Sequence, residues 1–326
     1  DGMDEKTTSE ALMSMWSNFC VSSAYEPGST YKPFTVAAAL DEGVVKDSDY
    51  FNCDGGLTVS GVRIRCSNRS GHGSISLEKS LMESCNSALM AIGQKLGRAN
   101  FSKYNEIFGF GQKTGIDLPG ETAGLIHKEE ELNPVELATS SFGQTQTVTM
   151  VQMAAGFSSL VNGGDYYEPH IVKEIQNENG AIVKKMEPVV VKKTVSDKTS
   201  SLIRQYMKAT VEDGTAAPAA VKGYSIGGKT GTAQKRPVSE RKYLVSFLGC
   251  VPAENPEAVV YVIIDEPHVE DQAHSTYATE FASKIMKKIL PFLEIYPEKE
   301  EEPKATDKPQ DDSTEPVGED TAGQDP

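Results

Sequence analysis

The chain has 326 residues, 38% of them hydrophobic, with a formal net charge of -15, which is enough apolar material for one large core or two subdomains. No basic stripe interleaves with aromatics, which argues against a nucleic-acid partner, and the longest apolar run near the C-terminus, Ala258 to Ile264, falls far short of the roughly twenty residues a membrane span needs. From Pro297 to Pro326 there are 11 acidic and 3 basic residues, a balance of -8 that leaves -7 for everything before.

Leu12, Met13, Trp16 and Phe19 share one face of a short helix predicted over residues 8–20, which should cover part of the main domain. Next comes Tyr25-Glu26-Pro27-Gly28-Ser29-Thr30-Tyr31-Lys32-Pro33-Phe34-Thr35, a Pro-Gly turn running into a helix start. Ser29 and Lys32, three residues apart, lie on one face, so a lysine amine can reach a serine hydroxyl: a nucleophile beside its base. The lysine serves only if burial or a neighbouring cation lowers its pKa. The small, apolar continuation through Val36, Ala37 and Leu40 to a stop at Gly43 predicts a buried central helix, which is what the lysine requires. On spacing alone, a capped helix with a solvated lysine is the competing reading.

Cys53 and Cys66 bracket a glycine-rich segment with an alternating Val62, Ile64 arm, which predicts a small hairpin. A disulfide could close it; two reduced structural cysteines, or a metal site lacking its remaining ligands, are the other readings. Ser74 to Met82 and Asn86 to Leu96 read as two helices, the second stopped by Gly97. Their junction, Ser84-Cys85-Asn86, can project Ser84 and Asn86 into a cleft, with Cys85 packed inward. Asn86 as a simple helix cap is the bland alternative.

Residues 98–146 read as loop-rich, and the charge run Glu129-Glu130-Glu131 as a solvated loop. Thr149 and Gln152 form a capping box that opens an apolar helix ending near Asn162-Gly163-Gly164. Ile171 to Met186 alternates around Asn179-Gly180, a hairpin signal. Ser196 caps a helix that stops at Gly214. Tyr224 to Ala233, Tyr243 to Val251 and Ala258 to Asp265 predict an antiparallel meander whose first strand carries Lys229-Thr230-Gly231-Thr232. Ala278 to Leu290 is a closing helix, and after Pro291 order should run out, because the acidic tail has too little apolar surface to repay the entropy of ordering. His72, His127, His170, His268 and His274 are scattered without metal-ligand spacing; no metal and no cofactor is expected.

Ser29-x-x-Lys32, Ser84-x-Asn86 and Lys229-Thr230-Gly231, in that order, are the motif set of penicillin-binding proteins and class A β-lactamases. With Tyr25 to Thr35, Gly109 to Glu121, and Ser141-Phe142-Gly143-Gln144 through Gln152-Met153-Ala154-Ala155, the chain resembles the transpeptidase domain of a class B penicillin-binding protein of the division and sporulation type, over roughly residues 20–292. The resemblance implies an α/β (α+β) penicillin-binding/β-lactamase-like fold, an antiparallel sheet flanked by helices plus a mainly helical subdomain. Residues 1–19 would be a lead-in from a pedestal domain, 20–292 the catalytic domain and 293–326 an acidic disordered tail. The family's membrane anchor and pedestal do not precede Ser29, which suggests a fragment.

The resemblance further implies a D,D-transpeptidase acting on peptidoglycan stem peptides at the extracytoplasmic face of the membrane and acylated by β-lactams. Ser29 would be the nucleophile and Lys32 its base, Ser84 the proton relay, Asn86 a holder of the donor amide, and Lys229 the tuner of that relay. Thr230, Gly231 and Thr232 would bind the substrate, with the backbone N-H groups of Ser29 and Thr232 as oxyanion hole. A membrane glycosyltransferase and divisome or sporulation proteins are the implied partners. Two alternatives belong to other classes: a β-lactamase, supported by Glu129-x-x-Leu132-Asn133 as a hydrolytic signature, and a penicillin sensor or idle scaffold.

Overall fold

A computed structural model describes residues 8, 9, 12 and 15–297. Of the helix predicted over residues 8–20, Thr8, Ser9, Leu12 and Met15 are helical, residues 10, 11, 13 and 14 lie outside the described residues, and the helix breaks at Trp16 to Asn18. Trp16 is 88% exposed rather than packed on the domain, and helix resumes as α1, Phe19–Ser22. The acidic tail from residue 298 lies outside the described residues.

The Pro-Gly turn is followed by a single 3-10 turn, Gly28–Tyr31, and only then by α2, Lys32–Asp41, with Pro33 in its first turn. Lys32 to Ala39 are all buried, so α2 is the central helix that its small apolar surface predicts. Aromatic rings pack around its start: Phe34 meets Phe108 and Phe110 edge-on at 5.1 and 5.0 Å, and Tyr31 lies 5.3 Å from Phe110.

Four short strands follow: β1 (Tyr50–Cys53), β2 (Gly56–Val59), β3 (Val62–Arg65) and β4 (Gly73–Ser76). β2 and β3 form the predicted hairpin around Ser60-Gly61, while β1 pairs with β4. Ser74 to Ser76 are therefore strand where a helix is predicted, and the helix α3 begins later, at Leu77–Met82, capped by Ser76. α4, Asn86–Ile107, is interrupted at Gly97 (φ 76°). The glycine ends one helical segment as expected, but a second, over residues 98–107, continues where loop is predicted. Phe101, Tyr104 and Phe108 bury against α2, and that tertiary packing outweighs the local stop signal.

Beyond these lie α5 (Pro134–Ser140) and α6 (Met150–Val161), the latter with its Thr149/Gln152 capping box formed. Then come β5 (Asp165–Tyr167), β6 (Glu174–Gln176), β7 (Ile182–Lys185) and β8 (Val190–Lys193). β6 and β7 pair across the Asn-Gly turn, with a bulge, and β5 pairs with β8. α7, Asp197–Glu212, is capped by Ser196.

The meander is β9 (Gly227–Gln234), β10 (Tyr243–Val251) and β11 (Ala258–Asp265), antiparallel in the order β11-β10-β9. The last two strands coincide with their predicted spans. α8, Thr276–Ile289, packs Ala278, Ala282 and Met286 on this sheet. A largely helical core around α2, α4 and α6 thus meets a sheet-and-helix core, and β9, the edge strand, faces the junction.

Candidate active site

The 3-10 turn Gly28–Tyr31 carries Ser29 and runs into α2 at Lys32, whose backbone N-H donates to the Ser29 carbonyl; the Lys32 amine makes its hydrogen bonds to the second motif and none to Ser29 Oγ. Ser29 is half-buried and Lys32 fully buried. Lys32 Nζ donates to the Ser84 carbonyl at 2.6 Å, to Ser84 Oγ at 3.0 Å and to Asn86 Oδ1 at 2.7 Å. The first and second motifs are thereby joined at one nitrogen. Burial pulls the Lys32 amine down to about 8, against a smaller upward pull from Cys66 and Cys85. A lysine so placed is poised to exchange a proton near neutral pH.

The Ser-x-Asn junction owes its shape to how α3 ends. The Ser84 N-H bonds the Leu81 carbonyl at 3.1 Å and the Cys85 N-H bonds the Ser80 carbonyl at 2.9 Å, the paired bonds of a Schellman stop. That stop puts a residue in the left-handed region, normally glycine; here it is Ser84 at φ 53°. A serine there costs about 1 kcal/mol or more and gains a hydroxyl aimed at Lys32. Cys85, not Asn86, caps α4: its Sγ accepts from the Ala88 N-H at 3.4 Å. Asn86 is therefore free of capping duty and bonds Lys32 instead.

The third motif enters on β9. Lys229 is fully buried and its Nζ donates to the Thr230 carbonyl and Oγ1, both at 3.2 Å. Burial first and the Lys32 charge second hold Lys229 well below the usual lysine range. Thr215 Oγ1 lies 3.2 Å from Thr230 Oγ1 and donates to the Met82 carbonyl at 3.1 Å, bridging β9 to the end of α3. A Cβ on Gly231 would stand 2.4 Å from Ser246 Oγ and 3.0 Å from Thr30 Cγ2, and one on Gly28 would stand 3.0 Å from the Thr232 carbonyl. These two glycines let the serine turn and β9 meet backbone to backbone, which places Thr232 beside Ser29.

Sequence reasoning assigned no role to several residues that hold this turn. The Gly28 N-H donates to the Gly143 carbonyl at 2.9 Å, Thr35 Oγ1 to the Ser141 carbonyl at 2.8 Å, and the Thr145 N-H to Glu26 at 3.2 Å. A Cβ on Gly143 would overlap the Gly28 carbonyl at 2.1 Å. The Ser141 to Gln144 stretch is thus a backbone clamp on the Ser29 turn; its sequence signal was its likeness to the family, not any sign of this contact. Gln152 Nε2 donates to the carbonyls of Gln112 and Ala123 at 2.5 and 2.8 Å, and Glu121 accepts from Thr114 N at 2.6 Å. These bonds tie down the Gly109 to Glu121 loop.

Glu129 takes no part in this network. It sits in an exposed 3-10 turn, Glu129–Glu131, 3.6 Å from Arg98, as the solvated reading expects. The disulfide reading of Cys53 and Cys66 is not met. Both are buried free thiols, as is Cys85, and what comes between them is a histidine, His72, whose Nδ1 is 3.4 Å from Cys53 Sγ. His274 pairs with Asp271 at 2.9 Å.

The profile described as "Penicillin binding protein transpeptidase domain" matches residues 3–287. The chain belongs to this family. Among relatives of the transpeptidase family, it is 44% identical over 289 residues to Stage V sporulation protein D of Bacillus subtilis, a match covering 86% of this chain and 44% of that protein. It is 28% identical to the probable peptidoglycan D,D-transpeptidase PenA of Neisseria flavescens, over 86% of this chain and 68% of that one. The chain spans less than half the length of the first of these relatives.

Two solved transpeptidase-family structures share the architecture. Penicillin binding protein 3 of Mycobacterium tuberculosis in complex with aztreonam has a TM-score of 0.78 at 26% identity, covering 86% of this chain and 65% of that one. A Burkholderia ambifaria protein described as a peptidoglycan glycosyltransferase has a TM-score of 0.75 at 27% identity, covering 87% and 84%. The α+β penicillin-binding fold expected from the motifs is the fold observed.

Proposed function

We propose that this domain is a serine D,D-transpeptidase that cross-links peptidoglycan stem peptides and is covalently inhibited by β-lactams. The observation that carries this reading is the convergence on Lys32 Nζ of Ser84 and Asn86, with Ser29 one 3-10 turn away and Lys229 buried close enough to Lys32 that burial first and that charge second hold its pKa down. Neutral Lys32 takes the Ser29 proton as Oγ attacks the penultimate D-alanine carbonyl. The Ser29 and Thr232 N-H groups receive the oxyanion. Ser84 Oγ, bonded to Lys32, passes the proton to the leaving D-alanine, and an amine on a neighbouring stem takes the acyl group.

Asn86 orients the donor amide, and Thr230 with Thr232 receives the terminal carboxylate, whose charge would raise the depressed Lys229 pKa. β9, as an edge strand, offers backbone groups for a peptide laid alongside it. The complex of a structural neighbour with aztreonam supports the expectation of β-lactam acylation. Action outside the cytoplasmic membrane, and a role in sporulation with a glycosyltransferase partner, follow the Bacillus subtilis relative's name and the family expectation.

The test is a donor pentapeptide ending in D-Ala-D-Ala mixed with an acceptor stem carrying a free amine. Release of D-alanine with formation of the cross-linked dimer is expected, and both are lost in Ser29→Ala. D-Alanine release with no dimer at any acceptor concentration would replace transpeptidation with hydrolysis.

A further inference from the structure

Behind the Ser-x-Asn turn, four side chains from separate segments converge: Cys53 at the end of β1, Cys66 just past β3, His72 before β4 and Cys85 between α3 and α4. Their ligand atoms all lie within 4.8 Å of one another. Cys66 and Cys85 Sγ are 3.9 Å apart, and His72 Nδ1 is 3.4 Å from Cys53 Sγ and 3.7 Å from Cys66 Sγ. A tetrahedral Zn²⁺ with Zn-S of about 2.3 Å and Zn-N of about 2.0–2.1 Å requires S···S near about 3.8 Å and S···N near about 3.5 Å. We propose that Cys53, Cys66, His72 and Cys85 form a closed tetrahedral Zn²⁺ site that holds the Ser84-Cys85-Asn86 turn in place.

The surroundings are built for such a site. The three cysteines are 3%, 1% and 0% exposed, with His72 as the half-buried side. The start of α4 directs its Ala88 N-H at Cys85 Sγ, and Ser87 Oγ lies 3.3 Å from Cys53 Sγ, the kind of outer partner that orients thiolate ligands. The loop carrying Cys66 and His72 folds against Cys53 through two glycines. A Cβ on Gly55 would come 2.1 Å from the Arg69 carbonyl and one on Gly71 2.3 Å from the Cys53 carbonyl. Three thiolates and an imidazole select a borderline-soft tetrahedral ion, and four protein ligands leave no open position, so the ion's role is structural. That role falls on catalysis through Cys85, whose neighbours Ser84 and Asn86 are the acceptors for Lys32; this second half of the proposal rests on the function proposed above.

The test starts from the full chain, purified under reductant, loaded with Zn²⁺ and dialysed against metal-free buffer. About one equivalent of zinc per chain is expected, and Co²⁺ substitution should give the intense visible bands of a tetrahedral ion together with thiolate-to-cobalt charge transfer. Cys53→Ser and His72→Ala should each lower retained zinc at least tenfold, while Cys20→Ser, at an exposed thiol, keeps it. A strong chelator should lower the melting temperature of the wild type but not of His72→Ala, and should slow β-lactam acylation of the wild type. Ser29→Ala should keep its zinc while losing acylation, so failure of the catalytic reading and failure of the metal site are read separately. A reduced wild-type chain that retains no zinc and gives an octahedral cobalt spectrum, or one that holds Cys66 and Cys85 as a disulfide under the same reductant, would overturn the proposal. If zinc is bound but its removal leaves acylation unchanged, the positioning role fails.

Discussion

The pH profile of β-lactam acylation tests the link between burial and catalysis at Lys32. Its amine has no exposed surface, and burial brings its pKa from the ordinary 10.5 to about 8. Only the neutral amine accepts the serine proton, so the rate should follow its fraction: about 10% at pH 7, half at pH 8 and about 90% at pH 9. Acylation, followed by stopped-flow with a chromogenic cephalosporin, should rise about tenfold from pH 7 to 9 and then level off. An ordinary lysine would give a rise approaching a hundredfold over that interval with no plateau below pH 10.

Stability carries the matching signature. Because the folded-state value is the lower one, burying the ammonium costs on the order of 3 kcal/mol below pH 8, and the cost disappears as pH rises toward 10.5. The stability of the wild type relative to Lys32→Met should therefore increase by that order between pH 8 and 10.5. Lys229, Cys66 and Cys85 face the same amine. A profile that climbs without levelling, or a relative stability that is flat in pH, would refute Lys32 as the buried base.

Gly231→Ala should lower stability by about 1–3 kcal/mol and slow acylation, since the new methyl must displace Ser246 Oγ or Thr30 from contacts of 2.4 and 3.0 Å; denaturant melts and labelling kinetics check both halves. Thr149→Ala removes the capping box of α6 and should cost about 1 kcal/mol with acylation unchanged, which separates scaffold from site. Glu129→Gln should leave the lifetime of the acyl-enzyme within about twofold of wild type, because Glu129 is an exposed partner of Arg98; a markedly longer lifetime would restore the hydrolytic reading.

Much of the site was legible because its residues are local in sequence. Ser29 and Lys32 share one turn, Ser84 and Asn86 share one helix junction, and β10 and β11 are bounded by Pro252 and Asn255-Pro256. What the sequence hid was made by distant contacts. Gly97 is a sound stop signal, yet Phe101 and Tyr104 bury against α2 and carry α4 to Ile107. The clamp of Gly143 on Gly28 joins backbones 115 residues apart. Cys53 and Cys66 pointed to a hairpin, which forms, but the partners of those two sulfurs, His72 and Cys85, arrive from the loop before β4 and from the Ser-x-Asn turn. The residues at 73–76 became strand because β1 supplies a pairing edge that no local propensity announces.

Intact mass over time after mixing with a penicillin, followed by peptide mapping, tests the nucleophile most directly. A long-lived adduct of one penicillin per chain, mapped to Ser29 and absent in a folded Ser29→Ala, is the predicted result. An adduct on another residue, or rapid hydrolysis of the penicillin with no adduct accumulating, would contradict it.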